Sequence, residues 1–261
     1  MIELSLNFRL RHGLMPNWLT PQILTLLSKG LWLTISLALI TSLLAMGLGI
    51  GVGLLRLWGK GGAALAATLF VETFRNIPAL VLIIFWAFAF PNAFPAQSRQ
   101  LIFFDNDVIH NLGSLSGLSI PWYGVAAILA LTLNTAAYIA ELFRAGVRTI
   151  AQEHVDAAQS MGASWRTIFR VILIPGGLRA AYPAITSRLI HNLKNTALVS
   201  LIAIPEFFGS INTAITRSFM AVEFLTLAAL VYLALSAAML LGLRFLERWL
   251  YPRPAKKMVT S

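Results

Sequence analysis

The sequence predicts an all-α polytopic bundle of about five transmembrane helices, and three observations lead to this prediction. Of the 261 residues, 58% are hydrophobic and 11% are charged, whereas a soluble domain carries about 25% charged residues. So few charged groups cannot cover the surface of a soluble protein of this size. The apolar residues also form runs of about 20, the length that crosses a bilayer as a helix. Cysteine is absent, which excludes disulfides, thiolate metal sites and cysteine nucleophiles.

The first span is predicted at residues 31–55, in a charge-free run between Lys29 and Arg56. This run is longer, and lies farther from the N-terminus, than the apolar region of a secretory signal peptide. Upstream, Thr20-Pro21 fits a helix cap and first turn, so a short interfacial helix is expected there. Glycines four residues apart let helices approach closely, within the chain or at a subunit interface. The span contains Gly47, Gly49, Gly51 and Gly53.

The second span, residues 64–90, is interrupted by a proline. Pro78 lacks the backbone donor that a helix interior needs, so it should kink or break the helix. Glu72 and Arg75 are three residues apart in this span. They are predicted to lie on one helical face and to form a structural ion pair.

The last three spans are predicted at residues 121–140, 182–204 and 224–243. The third begins with Pro-Trp-Tyr, and aromatic residues favour the membrane–water interface. The fourth is the least obvious, because charged residues lie between its two very apolar flanks. No internal repeat or separate soluble region is visible. Residues 1–261 are therefore expected to form a single transmembrane domain.

The distribution of basic residues predicts the orientation, because cytoplasmic loops carry an excess of Lys and Arg. The segments after spans one and three, together with the C-terminal tail, contain thirteen of these residues. The N-terminal segment and the other two loops contain five. The N-terminus is thus predicted outside and the C-terminus in the cytoplasm. The net charge of +10 then reflects membrane topology, and nucleic acid is not an expected partner.

The longest cytoplasmic loop carries a helix–turn–helix pattern at residues 149–176. Thr149 fits the first position of a capping box, and Gly162 suits a left-handed stop of the helix that follows. A second helix is expected from Ser164 to Pro175, where proline and two glycines should end it. The first helix presents mostly small residues, whereas a helix lying on a membrane presents large apolar ones. Such a helix suits insertion into a groove of another protein.

This loop resembles the EAA loop of ABC-transporter permease subunits. The family pattern is Glu-Ala-Ala, three residues, Gly, nine residues, then Ile-x-Leu-Pro. Here Asp156, Ala157 and Ala158 are followed at the same spacing by Gly162 and by an Ile-x-Ile-Pro sequence that ends at Pro175. The full spacing holds, with aspartate in place of glutamate and isoleucine in place of leucine.

Three further segments resemble the polar amino-acid permeases of this superfamily: residues 72–78, 136–146 and 193–206. The matches follow one five-span plan over most of the chain. Two departures stand out. Many relatives have Gly-Gln at positions 153–154, where this chain has Glu-His, and many have Gln where Leu82 stands.

The resemblance implies a multi-pass permease subunit in the cytoplasmic membrane of a bacterium, similar to glutamate-type and broad-specificity amino-acid importers. The implied partners are an extracytoplasmic amino-acid-binding protein, a second permease subunit and ABC ATPase subunits. The residues expected to dock the ATPase are Asp156, Ala157, Ala158, Gly162 and Pro175. ATP and Mg²⁺ would bind that ATPase, because this chain lacks a Gly-x-x-x-x-Gly-Lys-Ser/Thr phosphate loop. No catalytic residue, cofactor or metal site is therefore expected in this chain.

Polar residues at membrane depth are costly and usually face a cavity or a partner. The candidates here are Asn134, Tyr138 and Glu141 on the third span and Arg188, His191, Lys194 and Asn195 on the fourth. We expect the two polar faces to meet around an aqueous path, with cations for a substrate carboxylate and a carboxylate for its ammonium group. The excess of cations favours an acidic or neutral polar amino acid. Structural pairing of Glu141 with Arg144, and snorkelling of the basic side chains towards the surface, are the alternatives.

Two other classes of function are to be weighed against an importer. An intramembrane enzyme would need a metal-ligand spacing, paired carboxylates or a nucleophile with its base at membrane depth, and the sequence shows none. An ATPase-independent channel or membrane scaffold would not need the docking helix. Association with an ATPase would distinguish the importer from both.

Overall fold

The computed structural model describes residues 18–107, 111 and 121–251, and all regular elements in these ranges are helical. In chain order they are α1 (Pro21–Trp58), α2 (Gly62–Asn76), α3 (Ala79–Asn92), α4 (Ala96–Arg99, followed directly by a π-helical turn at Gln100–Phe104), α5 (Pro121–Arg148), α6 (Gln152–Ser160), α7 (Trp165–Ile202), α8 (Phe207–Ser218) and α9 (Ala221–Leu250). Within these ranges α1, α5, α7 and α9 are long and apolar enough to span a membrane, and α2 with α3 makes a fifth span if the bent pair counts as one. The predicted all-α transmembrane bundle is confirmed. Five basic residues used for the orientation lie outside the described residues: Arg9, Arg11, Arg253, Lys256 and Lys257.

Helix α1 begins at the predicted cap, where the Ile23 amide donates to the Thr20 hydroxyl at 3.4 Å. It then continues without a break to Trp58. The prediction of a separate interfacial helix that starts at Thr20-Pro21 is therefore wrong, because these residues begin the spanning helix itself. The extra turns are stabilised because Ile23 and Leu27 are buried against residues of α8 and α9.

The second predicted span is fully broken. The axes of α2 and α3 differ by 105°, and Ile77 between them is extended, with φ −89° and ψ 128°. The residue before a proline is pushed out of the helical region by the proline ring, which explains the break at Pro78. Asn134 of α5 donates to the freed carbonyl oxygen of Phe74 at 2.8 Å. An α5 side chain therefore stabilises the exposed end of α2.

Helix α5 lies at the centre of the bundle. In its most apolar stretch of 18 residues, 61% of the residues are buried, compared with 11% in the corresponding stretch of α9. Helix α5 packs most extensively against α1, and glycines allow this close approach. A Cβ added at Gly49 would lie 2.8 Å from the Ala136 carbonyl oxygen, whereas one at Gly47 would meet nothing within 4 Å. The Gly49/Gly53 pair therefore serves packing within the chain.

The loop after α5 is helical, as predicted, but one of its boundaries differs. Gly162 has φ +78°, which confirms the left-handed stop after α6. Ser164 accepts a hydrogen bond from the Thr167 amide at 3.2 Å, which confirms the cap of the next helix. Thr149 does not cap α6, because its hydroxyl donates to the Gly146 carbonyl oxygen at 2.8 Å. The helix begins instead after Ala151.

The predicted end of the second loop helix at Pro175 is wrong. Helix α7 continues through this proline to Ile202, with a π-helical turn at Phe169–Leu173 just before it. Proline is tolerated here because it lies in the first turn of the α-helical segment after the π turn, where its missing N–H is not required. Gly177 does not end the helix either; it lies directly against α5 at Gly146 and Val147.

Candidate functional site

A cavity of about 420 Å³ opens where the α2–α3 break faces α5 and α7. Five of the seven predicted path residues line it together: Asn134, Tyr138, Arg188, His191 and Asn195. The α2–α3 break contributes the lining residues from Arg75 to Leu80, and α7 also contributes Leu198. Helical spacing thus places the polar residues of α5 and α7 on faces that meet.

Arg188 is the most buried charge in this cavity, with 9% of its surface exposed. Its guanidinium donates to the side-chain oxygen Oδ1 of Asn134, lies 3.3 Å from Nδ1 of His191, and lies 3.9 Å from the centroid of the Tyr138 ring. No carboxylate pairs with it among the described residues, and its Nε has no hydrogen-bond partner there. A buried cation held by neutral groups and by an aromatic ring is suited to bind an anion.

Hydrogen bonds hold the lining side chains in place. The Tyr138 hydroxyl donates to the Arg75 carbonyl oxygen at 3.1 Å, and Asn195 lies 3.2 Å from Nδ1 of His191. The Tyr138 contact and the bond from Asn134 to Phe74 connect the α2–α3 break to α5. The shape of the cavity therefore depends on the break itself.

Glu141 does not line this cavity. Its carboxylate accepts from Arg56 at 2.5 Å and from two nitrogens of Arg144, and it lies 3.9 Å from Arg75. This structural pairing is the alternative considered for Glu141, and it is the one the structure adopts. The predicted carboxylate for the ammonium group of a substrate is therefore engaged elsewhere.

The predicted Glu72–Arg75 pair is wrong. Glu72 pairs with Arg56 of α1 at 3.1 Å, and Arg75 turns towards Glu141 of α5. Partners on neighbouring helices are closer than the partner three residues away on the same helix.

Lys194 also lies away from the path cavity. It lines a separate, mostly apolar cavity of about 390 Å³, together with Phe208, Leu225 and Tyr232. Asn192, four residues after Arg188 on α7, is fully buried and hydrogen-bonds Thr135 of α5 and two residues of α1. It serves packing.

Sequence reasoning missed Arg75 as a lining residue. The signal was available, since irregular backbone at membrane depth is tolerated where it is buried in protein or lines a cavity. Residues beside Pro78 therefore were candidates for the cavity wall.

Three of the five predicted docking residues lie in the exposed helix α6, Gly162 follows its end, and Pro175 lies in α7. Val155 and Ala158 are the buried residues of α6, whereas Asp156 and Ala157 are exposed. A groove of about 480 Å³ runs between α6 and α7, and Ala157, Ala158 and Pro175 line it. Asp156 accepts from Gln152 of the same helix at 2.9 Å, so its carboxylate is held at the surface.

Comparison with known proteins places this architecture in a family. Residues 45–256 match the family described as the binding-protein-dependent transport system inner membrane component. The chain belongs to this family. The resemblance to ABC-transporter permeases is thereby confirmed, and the permease is a multi-pass protein of the inner membrane. Transport subunits of this kind work with ATPase activity carried on separate subunits.

Two relatives and one solved structure illustrate the match. The permease is 31% identical over 219 residues to the nopaline transport system permease protein NocM of Agrobacterium fabrum (strain C58), with 84% of this chain and 85% of NocM covered. It is 26% identical over 220 residues to the glutamate/aspartate import permease protein GltJ of Escherichia coli (strain K12), with 84% and 85% covered. A crystal structure of an amino acid ABC transporter with histidines superposes with a TM-score of 0.69 at 23% identity, covering 87% of this chain and 95% of that one. This structure supports the fold.

Proposed function

We propose that the permease translocates an acidic or neutral polar amino acid across the bacterial cytoplasmic membrane, as the transmembrane subunit of an ATP-driven importer. The observation that carries this proposal is the buried Arg188 guanidinium facing the cavity at the α2–α3 break. The Arg188 guanidinium would bind the carboxylate of the substrate. It would disfavour a substrate with a cationic side chain, because like charges repel strongly at low dielectric. NocM and GltJ are named for different substrates, so the choice of substrate rests on the cavity.

Neutral oxygens would complete the recognition of the amino acid. Tyr138 and Asn134 hold Arg188 in place, and His191 and Asn195 lie beside it on α7. With Glu141 engaged by arginines, we assign the ammonium group to the side-chain oxygen of Asn195 and to carbonyl oxygens at the helix break. We assign Glu141 and Lys194 no contact with substrate.

We further propose that an ABC ATPase, which binds the ATP and Mg²⁺, docks on α6 and its groove. The docking residues would be Asp156, Ala157, Ala158, Gly162 and Pro175. Helix α7 runs from this groove to the cavity and carries both Pro175 and Arg188. ATP-driven movement of α6 would therefore reorient the α7 wall of the cavity, which is the element that alternating access requires.

The remaining partners and the orientation follow from the same proposal. A second permease subunit, identical or paralogous, would complete the translocation path, and an extracytoplasmic binding protein would deliver the amino acid. The N-terminus would lie outside and the C-terminus in the cytoplasm. An ATPase-independent channel or scaffold is the competing function.

The turn at Gly162 provides the test. We would co-express the permease with the candidate ATPase and binding protein, purify the complex, and measure retained ATPase and amino-acid uptake into proteoliposomes. Gly162→Val forces a β-branched residue into a left-handed conformation, a cost of about 1–2 kcal/mol, so we expect about tenfold less retained ATPase. Gly162→Asn should behave as wild type, because asparagine tolerates this conformation.

Gly61 supplies the matched control. With φ +58° and ψ −129°, Gly61 has a backbone conformation in which valine is strained at least as strongly as at Gly162. A Cβ added there would meet nothing within 4 Å, and the residue lies between α1 and α2. Gly61→Val should therefore retain the ATPase. Uptake without ATP, or a wild-type permease that binds no ATPase, would contradict the importer and favour the channel.

A further inference from the structure

Five charged residues meet where α1, α2 and α5 approach one another: Arg56, Glu72, Arg75, Glu141 and Arg144. The three cations outnumber the two carboxylates. Glu141 accepts from Arg56 and from Arg144, and Glu72 accepts from the second terminal nitrogen of Arg56. Both carboxylates therefore have close partners without any contribution from Arg75.

Arg75 is the one cation of this cluster that has no close carboxylate partner. Its nearest carboxylate oxygen, on Glu141, is 3.9 Å away, and no hydrogen bond from its guanidinium occurs in the described ranges 18–107 and 121–251. Its side chain is 32% exposed, against 15% for Arg56 and 17% for Arg144. The Tyr138 hydroxyl binds its carbonyl oxygen, so the backbone is held while the guanidinium is loosely engaged.

Arg75 also lines the cavity that contains Arg188. We propose that Arg75 is a second carboxylate-binding group of this cavity and that an acidic amino acid draws it away from Glu141. Arg188 would bind the α-carboxylate and Arg75 the side-chain carboxylate. This inference rests on the proposed function and narrows its substrate class to acidic amino acids.

The charge balance of the cluster favours this exchange. When Arg75 turns to the substrate, Arg56 and Arg144 remain with Glu72 and Glu141, so equal numbers of opposite charges are left behind. No carboxylate loses its last cation. An arginine that is surplus in its own cluster is therefore available to an anion in the cavity at little electrostatic cost.

The cavity lining agrees with an anionic substrate. Its lining residues include two arginines, Arg75 and Arg188, and no Asp or Glu among the described residues. A neutral side chain would leave Arg75 with its distant contact to Glu141, whereas a carboxylate gains a charge-assisted hydrogen bond. The permease should thus distinguish a carboxylate from the isosteric amide.

L-Glutamate and L-glutamine are the matched probes, since they differ in this one group. We would measure binding of each to the purified permease–ATPase complex in nanodiscs by isothermal titration calorimetry, without the binding protein, whose own specificity would mask that of the cavity. We expect wild type to bind glutamate at least tenfold more tightly than glutamine. Arg75→Gln should weaken glutamate binding about tenfold and change glutamine binding less than twofold. Arg75→Lys should restore part of the preference.

Two further variants separate recognition from structural support. Arg56→Gln changes no residue of the cavity lining but removes the cation that engages both carboxylates. Arg75 should then be retained by Glu72 and Glu141, so the glutamate-to-glutamine ratio should fall. Glu141→Gln removes the competitor for Arg75, so it should strengthen glutamate binding about threefold. It should not do so in combination with Arg75→Gln. A merely structural role for Arg75 would weaken both probes equally.

The outcomes separate the two proposals. A complex that takes up amino acids in the reconstituted assay but binds both probes equally, or loses both equally in Arg75→Gln, overturns the assignment of Arg75 and leaves the importer intact. A wild-type complex that neither binds nor transports any amino acid overturns the proposed function itself.

Discussion

At the scale of single residues, one buried carboxylate has an unusual number of partners. Glu206 is 0% exposed and accepts from the Thr34 hydroxyl at 3.0 Å and the Tyr232 hydroxyl at 2.9 Å. The backbone amides of Phe208 and Gly209 donate to it at 3.0 and 2.7 Å. A single side chain thus caps α8 and joins it to α1 and α9. Four donors offset the cost of burying the charge.

These partners predict a graded loss of stability. Tyr232→Phe removes one donor and should lower the free energy of unfolding by about 1 kcal/mol. Glu206→Leu leaves four buried donors without an acceptor and should lower it by more than about 3 kcal/mol. Denaturant unfolding of the purified chain in detergent measures both.

The control for this series is Tyr123→Phe. The Tyr123 ring packs against Phe88, and its hydroxyl makes no hydrogen bond within residues 18–107 and 121–251. Removal of the Tyr123 hydroxyl should therefore leave the free energy of unfolding nearly unchanged. If Tyr232→Phe and Tyr123→Phe lower the free energy of unfolding equally, the hydrogen bond from Tyr232 to Glu206 contributes nothing to stability.

At the scale of elements, the contact between α1 and α5 depends on which glycines face it. Gly49 and Gly53 lie against α5, with Ala136 and Ile139 beside the first and Phe143 beside the second. The other two glycines of the same run face open space. Sequence spacing alone does not distinguish the two pairs, because both repeat every four residues.

Alanine substitutions should therefore have opposite effects at neighbouring positions. Gly47→Ala should stabilise α1 by up to about 1 kcal/mol through helix propensity. Gly49→Ala places a methyl group 2.8 Å from the Ala136 carbonyl oxygen, and overpacking should cost about 1–3 kcal/mol. Thermal melting in detergent compares the two variants. Equal melting temperatures would mean that α1 and α5 do not approach this closely.

At the scale of the whole molecule, the broken pair α2–α3 determines the topology. If the pair crosses the membrane, residues 18–107 and 121–251 contain five spans, and these ranges begin and end on opposite sides. If the pair is re-entrant, the same ranges contain four spans. The positive-inside rule favours five, because it assigns the α1–α2 connection to the cytoplasm and the segment after α3 to the outside.

The absence of native cysteine allows a direct test with single cysteines at exposed positions. Gln97→Cys in α4 should react with an impermeant maleimide in intact spheroplasts. Lys60→Cys after α1 and Gln159→Cys in α6 should react only after permeabilisation. Labelling of positions 97 and 60 from the same side would show a re-entrant pair and would contradict the five-span topology.

The length of the apolar runs by itself predicted a bundle of membrane-spanning helices, and helical periodicity predicted the polar faces of α5 and α7. Asn134 and Tyr138 repeat at four residues, as do His191 and Asn195, and this spacing places each pair on one helical face. Local backbone chemistry was equally predictable at Gly162 and Pro78, because only the residue and its neighbours decide it.

Only the tertiary structure decided which charges meet. Arg56 reaches Glu72 and Glu141, which are 16 and 85 residues away in the chain, and so prevents the predicted pair within α2. Arg75 thereby becomes available to the cavity. The physical reason is that periodicity orients a side chain on its own helix but contains no information about the angle and distance to the next helix, and ion pairing depends on both.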